Sequence, residues 1–309
     1  MKPLYRNFPS ILRAGALLPL LAVMLASPPA EAFCRTTTAV ATDRNDLGCS
    51  TEGKALYHPL AKFSYRIVPS EPTIPTAVLT EKMAKAFAHW TAKNARCTPG
   101  IAVEVLPPAT RPVPIVGFEM TGKGENWNNI GVSTDPTIGR GGELALATLH
   151  FNQNTGAILD ADLAIDTKPK WSFTDEAPPD DGIDLEAVLT HDAGHILGLA
   201  HSAVPTSVMF PTYTPGSITA RTLDADDIEA ICTIYPTAGQ RLSATGLVPT
   251  LTCGSPSEDP AKNCSVPSSE SSDGGCSAAP GRSRGLVLPG IALAMGVAAA
   301  VRRRRARRG

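Results

Sequence analysis

Polar and apolar positions alternate along several short stretches of this chain, and elsewhere they recur at helical spacing. Alternation with a period of two predicts strands, because successive side chains of a strand point to opposite faces. The clearest such stretch is KFSYRIV at Lys62–Val68. The predicted strands are residues 62–68, 101–106, 144–151 and 157–166, with a shorter candidate at 115–119 and an approach to the sheet edge at 126–132.

Three segments have the spacing of helices. The first, residues 77–94, has Thr76 as a candidate N-cap and an apolar face formed by Val78, Met83, Ala86, Phe87 and Trp90. The second follows Asp184, an N-cap residue type, and the third begins near Leu223. Segments of both kinds in one chain predict an α+β fold.

The second helix contains the main candidate for chemistry. His191 and His195 are four residues apart, so they lie one turn apart on one helix face and can point two imidazoles at one ion. Gly198 can end the helix in a left-handed conformation, and the turn brings His201 in as a third ligand. Three protein nitrogens and one open position are typical of a catalytic Zn²⁺ site. The stretch SVMFP then predicts a tight turn that places Met209 beneath the metal.

This pattern resembles the metzincin zinc peptidases and, among them, the matrixins, whose motif is H-E-x-x-H-x-x-G-x-x-H followed by a Met-turn. The match includes the three histidines, Gly198, Ser202 and Met209, and the wider resemblance covers residues 56–236. It implies a metzincin/matrixin-like α+β fold, a twisted mixed β-sheet with an active-site helix and a C-terminal helix. It also implies a zinc endopeptidase that acts on proteins or peptides, with one catalytic Zn²⁺ on His191, His195 and His201.

One position departs from the family motif. Asp192 stands where the family has the glutamate that acts as general base. Aspartate is shorter by about 1.5 Å, one C–C bond, and a displacement of about 1 Å can cost roughly 100-fold in rate. The resemblance therefore implies Asp192 as the catalytic base. The alternative is a zinc-binding pseudo-peptidase that acts as a surface binding module.

The resemblance also implies roles around the cleft. Residues 144–149 correspond to the edge strand that pairs with an extended substrate, and residues 212–217, with Tyr213, correspond to the wall of the specificity pocket. Asp226 and Asp227 correspond to family aspartates that anchor the N-terminus or support the site. Without the resemblance, they are solvated acids in the first turn of a helix.

Asp160, Asp162 and Asp166 occupy alternate positions of one predicted strand, which predicts a single solvated face. The alternative is a Ca²⁺ site, because calcium prefers oxygen ligands. His150 is interpreted as an ordinary strand histidine, since no further histidine lies near it in the sequence.

Both ends of the chain predict export. Residues 1–32 have a basic start, an apolar stretch and an A-x-A site, as in a secretory signal, so Phe33 is the predicted mature start. Residues 285–301 form an uncharged run followed by arginines, typical of a short membrane helix. With Gly275 and Cys276 before it, this tail resembles the C-terminal sorting tails of myxobacterial surface proteins; a plain single-pass anchor is the alternative.

These features divide the chain into a signal peptide (1–32), a catalytic domain with a short N-terminal extension (33–237), a Ser/Pro/Gly-rich flexible stalk (238–275) and a sorting tail (276–309). Residues 33–275 hold 17 Lys and Arg against 28 Asp and Glu, a net charge of 17 − 28 = −11. Such an acidic segment argues against nucleic acid as a partner. We expect a monomer at the cell surface or outside the cell.

Seven cysteines beside a predicted secretory signal indicate an oxidising compartment. With Cys276 assigned to the tail, six remain. The predicted pairs are Cys34–Cys49, Cys253–Cys264 and Cys97–Cys232, although six cysteines allow 15 connectivities.

Overall fold

The computed structural model describes residues 33–69, 73–110, 113–118, 126–135, 138–139, 142–237, 239–253, 264–265 and 291–297. The predicted signal peptide therefore lies outside the described residues, and so do Cys276 and the arginine cluster of the predicted tail.

The described residues contain three α-helices and thirteen strands. The helices are α1 Thr76–Thr91, α2 Leu185–Ile196 and α3 Ala225–Ile234, with short 3₁₀ turns at Ala41–Asp43 and Thr219–Arg221. The strands are β1 Lys62–Ile67, β2 Ala102–Leu106, β3 Asn129–Ser133, β4 Glu143–Phe151, β5 Ile158–Asp166, β6 Trp171–Ser172, β7 Ile183–Asp184, β8 Thr212–Tyr213, β9 Gln240–Ser243, β10 Gly246–Pro249, β11 Thr252–Cys253, β12 Cys264–Ser265 and β13 Ile291–Val297.

The main sheet is mixed, with the order β2-β1-β3-β5-β4-β13-β8. Strands β2, β1, β3 and β5 are parallel to one another, and β4 runs antiparallel to β5. Helices α1 and α2 pack on each other and on the sheet, and their buried faces form one core with the strands. The predicted α+β fold class is confirmed. The candidate strand at 115–119 is not one, because residues 115–118 form a loop.

Helix α1 buries Met83, Ala86, Phe87 and Trp90, as the apolar spacing predicts. Thr76 is its first residue rather than its cap, and Pro75 precedes it without a side-chain hydrogen bond. Pro75 is the N-cap residue, and its carbonyl oxygen accepts the first helical hydrogen bond, from the N–H of Leu79 at 2.9 Å.

A buried ion pair joins α1 to α2. The Nζ of Lys82 lies 3.0 Å from Oε2 of Glu186, and His89 Nε2 lies 3.1 Å from Oε1 of the same carboxylate. Lys82 and Glu186 are both almost fully buried. Glu186 therefore cross-links the two helices, in addition to its position in the first turn of α2, where a negative charge complements the helix dipole.

Helix α2 begins as the sequence predicts. The Asp184 carboxylate accepts a hydrogen bond of 2.7 Å from the backbone N–H of Ala187, which caps the helix. After Leu197, Gly198 adopts φ +96°, and a Cβ at that position would lie 2.9 Å from the carbonyl oxygen of Leu56. A glycine is therefore required at this turn for both conformation and space.

Two of the predicted disulfides are confirmed, Cys34–Cys49 and Cys97–Cys232. The second ties the chain after α1 to α3. The backbone register of β11 and β12 pairs Cys253 with Cys264. The third disulfide stays a prediction, since this register concerns the backbone alone.

The segment predicted as a flexible stalk is ordered at its start. Strands β9 and β10 form a hairpin, and Arg241 within it is fully buried. The Arg241 guanidinium donates hydrogen bonds to the carbonyl oxygens of His58, Leu60 and Gly100. The predicted stalk therefore does not begin at residue 238. A composition rich in Ser, Pro and Gly does not reveal one arginine whose guanidinium satisfies three carbonyls elsewhere in the domain.

The sequence predicts a membrane helix at residues 285–301, but the part of this segment that the structure describes is not helical. Residues 291–297 are a β-strand, β13, paired with β4 and β8. Strand β4 offers a row of open backbone groups at its edge, and a short apolar segment satisfies its own N–H and C=O groups by pairing there. No helix among the described residues is long and apolar enough to cross a membrane.

Candidate metal centre

The structure brings the three predicted histidines together. His191 and His195 lie on one face of α2 with their Nε2 atoms 3.0 Å apart. His201 joins them from the loop after Gly198, and one nitrogen from each histidine lies within 4.8 Å of the others. Tetrahedral zinc with Zn–N bonds of about 2.0–2.1 Å separates its ligand nitrogens by about 3.4 Å. The three side chains therefore fit one ion.

The hydrogen bonds of the outer nitrogens support this fit. Nδ1 of His191 donates to the carbonyl oxygen of Val208 at 2.6 Å, and Nδ1 of His195 donates to that of Leu199 at 2.9 Å. A carbonyl oxygen can only accept, so each Nδ1 holds the proton and each Nε2 presents a lone pair. Two lone pairs that face each other at 3.0 Å repel each other unless a proton or a metal ion lies between them. This second-sphere arrangement is the one that orients metal-binding histidines.

Burial keeps these imidazoles neutral. It lowers the pKa of His191 to about 3, and it lowers the pKa of His195 well below its usual value. Neighbouring histidines add to both shifts by charge repulsion. Neutral imidazole is the form that binds a metal ion.

Asp192 follows His191 on α2 and is fully buried. Neither of its carboxylate oxygens has a hydrogen-bond partner among the described residues. Burial alone raises the pKa of this carboxyl group well above its usual value. A buried acid without a partner holds its proton more tightly than a solvated one.

Met209, the methionine of the predicted Met-turn, packs against the helix that carries two of the histidines. It is buried, and its sulfur packs against Gly194 of α2. Trp90 of α1 packs on the same glycine and donates a 2.7 Å hydrogen bond to the carbonyl oxygen of Thr190. The sequence analysis did not single out Gly194, although a glycine inside a helix is itself a signal of close packing.

Asp227 holds the Met-turn. Its carboxylate accepts hydrogen bonds from the Ser207 hydroxyl at 2.6 Å and from the backbone N–H groups of Val208 and Met209 at 2.8 and 3.3 Å. It is buried, so the solvated interpretation is wrong for this residue. Asp226 accepts a hydrogen bond of 2.6 Å from the hydroxyl of Ser202, the residue after the third histidine.

The loop after the Met-turn is tied to the start of α2. Tyr213 is buried, and its hydroxyl donates to the carbonyl oxygen of Ser217 at 2.6 Å and accepts from the N–H of Asp184 at 2.9 Å. Arg221 adds an ion pair to the Asp184 carboxylate. Residues 212–217, here called the wall, are therefore held against the start of α2 by these hydrogen bonds.

Strand β13 occupies the gap between β4 and β8, here called the groove. It is antiparallel to β4 from Ile291 to Gly296 and parallel to β8 at its end. Helix α2 also contacts β13. At one end, a cavity of about 560 Å³ is bordered by Leu144 of β4 and by Pro215 of the wall. The edge strand predicted from the resemblance is thus paired with an extended segment.

The predicted solvated face of Asp160, Asp162 and Asp166 is wrong, because all three are buried. The loop at residues 113–118 covers this face of the sheet. Gly117 N–H donates to Asp162 at 2.9 Å, and Phe118 stacks on His150. Neither oxygen of Asp160 has a hydrogen-bond partner among the described residues.

Comparison with known proteins agrees with this geometry. A family model described as Matrixin matches residues 125–236, which include β3 to β5, α2, the three histidines and α3. Matrilysin of Rattus norvegicus is 29% identical over 181 residues, which is 56% of this chain and 56% of that protein. Matrix metalloproteinase-26 of Homo sapiens is 37% identical over 100 residues, 32% of this chain and 34% of that protein.

A shorter match is stronger in identity. Metalloendoproteinase 2-MMP of Arabidopsis thaliana is 47% identical over 55 residues, 17% of this chain and 14% of that protein. The chain spans little more than half the length of the matrilysins that it matches. The fold is the α+β fold of the matrixins, and the matched segment supports a matrixin-like metallopeptidase domain.

Proposed function

We propose that this protein is a zinc-dependent endopeptidase, with the zinc held by His191, His195 and His201. The observation that carries the proposal is the pair of Nε2 atoms at 3.0 Å, whose rings are fixed by hydrogen bonds to two backbone carbonyls. That donor set matches the three-nitrogen zinc sites that keep a position for water. Zinc bound there supplies a Lewis acid that polarises the scissile carbonyl and lowers the pKa of the attacking water.

Asp192 is the proposed general base. Its carboxylate accepts a proton from the attacking water, whose oxygen bonds to the carbonyl carbon of the substrate. The same carboxyl group then gives that proton to the amide nitrogen as the C–N bond breaks. Its burial excludes bulk water from the proton path. Met209 does not enter the reaction; it supports the histidines from below.

The substrate is proposed to be an extended peptide in the groove between β4 and β8. The structure pairs β13 with both strands at this place, so the groove accepts one extended chain. Backbone hydrogen bonds to a sheet edge bind peptides with little regard to sequence, and side-chain pockets add selectivity. The 560 Å³ cavity beside Pro215 is the proposed pocket for one substrate side chain.

The test compares zinc-loaded wild type with Asp192→Glu, Asp192→Asn and Asp192→Ala on an unfolded protein substrate, with fragments identified by mass spectrometry. We expect cleavage by wild type and loss of at least about 100-fold in the Asn and Ala variants, which lack the base. Cleavage by Asp192→Glu alone would favour the pseudo-peptidase alternative. Wild type that retains no zinc after purification without chelators would refute the proposal.

We also propose a cation at the buried pair Asp160 and Asp162, with Ca²⁺ as the candidate. Burial raises the pKa of both carboxyl groups, and Nδ1 of His150 lies 3.6 Å from Asp160. Two adjacent buried carboxylates need a shared proton or a cation. If Ca²⁺ binds, millimolar calcium raises the unfolding temperature of wild type but not of Asp160→Asn. Equal temperatures with and without calcium in wild type would contradict the site.

Export to the cell surface or beyond remains part of the proposal. It rests on the signal-like residues 1–32 and on the tail after Cys276, together with two disulfides, which persist in oxidising compartments. Cell fractionation combined with intact-mass measurement tests it. A mature chain that starts at Phe33 outside the cytoplasm supports export, and a full-length reduced chain in the cytoplasm contradicts it.

A further inference from the structure

The N-terminal stretch of the described chain pairs with the loop that carries the third histidine. Arg35 and Leu199 form an isolated antiparallel bridge. The N–H of Thr36 donates to the carbonyl oxygen of Gly198, and the N–H of Ala200 donates to that of Cys34, both at 2.9 Å. Two segments more than 160 positions apart are therefore joined backbone to backbone immediately beside the metal centre.

The far end of the same N-terminal segment holds His201. The backbone N–H of His201 donates to the carbonyl oxygen of Leu47 at 3.2 Å, and Sγ of Cys49 lies 3.7 Å from the His201 carbonyl oxygen. The Cys34–Cys49 disulfide links these contacts to those of Thr36. Residues 34–49 thus form a closed loop, here called the N-terminal loop, that contacts residues 198–201 at both of its ends.

Residues 198–201, which lead to the third histidine, depend on the N-terminal loop for two of their backbone hydrogen bonds. Gly198 and Leu199 donate their N–H groups back to the end of α2, to the carbonyl oxygens of His195 and Gly194. The next two N–H groups, those of Ala200 and His201, donate to the N-terminal loop. Since Gly198 has already left the helical conformation, α2 itself does not determine where His201 points.

Thr36 also contacts the hydrogen-bond network of a second ligand. Its hydroxyl donates to the carbonyl oxygen of Leu199 at 3.0 Å, and that oxygen also accepts the proton of His195 Nδ1 at 2.9 Å. Both Thr36 and His195 are fully buried. The side chain of Thr36 therefore fixes the acceptor that orients the His195 ring.

We propose that the N-terminal loop is a clamp that positions two of the three metal ligands, and that Thr36 is its positioning residue. The clamp holds the backbone of Ala200 through Cys34 and that of His201 through Leu47, and the disulfide joins these two contacts. It holds the ring of His195 through Thr36 and the Leu199 carbonyl. The proposal rests on the proposed function only in that the three histidines bind a metal ion. Groups in this second sphere typically change metal affinity by about 10–100-fold.

The test measures affinity for Co²⁺ by competition with a chelator and records the visible spectrum of the bound cobalt, which reports its coordination geometry. Thr36→Val removes the hydroxyl and keeps the shape, whereas Thr36→Ser keeps the hydroxyl. We expect Thr36→Val to bind cobalt at least about 10-fold more weakly with an altered spectrum, and Thr36→Ser to bind within about threefold of wild type. Equal affinities and spectra for wild type and Thr36→Val would overturn the role of Thr36.

The disulfide is tested with a matched pair of double variants. Cys34→Ala/Cys49→Ala opens the clamp, and Cys97→Ala/Cys232→Ala opens the other disulfide, away from residues 198–201. We expect weaker cobalt binding and faster hydrogen exchange at Ala200 and His201 in the first variant only. Equal losses in both would show a general effect of stability and overturn the proposal. If the first double variant does not fold, the cobalt affinities of Thr36→Val and Thr36→Ser decide whether the clamp proposal holds.

These outcomes separate the clamp from the proposed peptidase. A wild type that binds cobalt and cleaves nothing refutes the peptidase, while the affinities of the variants still test the clamp. A wild type that binds no cobalt refutes both.

Discussion

The sulfur of Met209 lies 2.3 Å from the point that a Cβ on Gly194 would occupy. The same Cβ would lie 2.8 Å from a ring carbon of Trp90. Helix α2 and the Met-turn can pack in direct contact because residue 194 has no side chain. The contact lies one residue before His195, so it couples the packing beneath the site to the position of a ligand.

The first prediction is that Gly194→Ala destabilises the domain. Although alanine favours a helix by up to about 1 kcal/mol over glycine, the new Cβ must displace Met209 or Trp90, and overpacking of this kind costs about 1–3 kcal/mol. Urea unfolding should show a net loss, with weaker zinc binding. Gly117→Ala is the control, because no atom of the described residues lies within 4 Å of the place that its new Cβ would take. Unchanged stability in Gly194→Ala would contradict the contact.

The second prediction concerns Asp227. Asp227→Ala leaves the Ser207 hydroxyl and the N–H groups of Val208 and Met209 without their buried acceptor, and we expect a loss of about 3 kcal/mol or more in unfolding free energy. Asp227→Asn keeps one carbonyl oxygen and should lose less. Chemical denaturation measures both values. The neighbouring Asp226→Asn serves as the control and should lose under about 1 kcal/mol; similar losses at both positions would contradict a specific support of the Met-turn.

The sequence predicts most of the elements because their signals are local. The strands at residues 62–67 and 143–151, the cap at Asp184 and the turn at Gly198 follow from period, residue type and conformational freedom. The solvated face predicted for β5 failed because strand alternation shows which residues share a face, not whether a loop covers it. Residues 113–118 cover that face, and no period in the sequence signals this.

For the candidate site, the sequence predicts the three metal ligands but not the residues that support them. Helix geometry alone brings His191 and His195 together, and the turn at Gly198 brings His201. The supports of these ligands are contacts between distant parts of the chain. Thr36 and Leu199, which share a hydrogen bond, are 163 positions apart in the sequence, and Asp227 and Ser207 are 20 positions apart. Neither contact has a local signal.

The third prediction is a loss of stability in acid that depends on His58. This residue is fully buried, its Nε2 lies 2.8 Å from the carbonyl oxygen of Ile196, and burial lowers its pKa to about 4. In the unfolded chain the pKa of His58 is near 6.5. Between pH 6.5 and pH 4, His58 is therefore protonated in the unfolded state and neutral in the folded state. Stability therefore falls as the pH falls through this window, by about 2 kcal/mol at pH 5 for this one group.

Unfolding of the metal-free protein at pH 7 and pH 5 measures this effect. His58→Gln keeps an N–H donor for Ile196 but does not titrate, so its stability should fall by about 2 kcal/mol less than that of wild type over the same interval. Parallel falls in the two proteins would mean that His58 is not the group responsible.

The fourth prediction is that β13 competes with substrate. Residues 291–297 occupy the groove proposed for peptides, antiparallel to β4. Ala294→Pro removes a backbone N–H and fits poorly within a paired strand, so it should release the segment and open the groove. Because β4 then keeps only β5 as a partner, those amides of residues 144–149 that point toward β13 should exchange hydrogen at least about 10-fold faster, and hydrolysis of a peptide should accelerate.

Ala294→Ser, which keeps the backbone N–H, is the matched control and should change neither rate. A synthetic peptide with the sequence of residues 291–297 should slow the Ala294→Pro variant again if the groove itself is the binding place. Exchange at β4 that is equally slow in wild type and in Ala294→Pro would show that the open edge is protected by something other than β13. Faster exchange without faster hydrolysis would place the substrate elsewhere, because removal of the occupant would then have no effect on its binding.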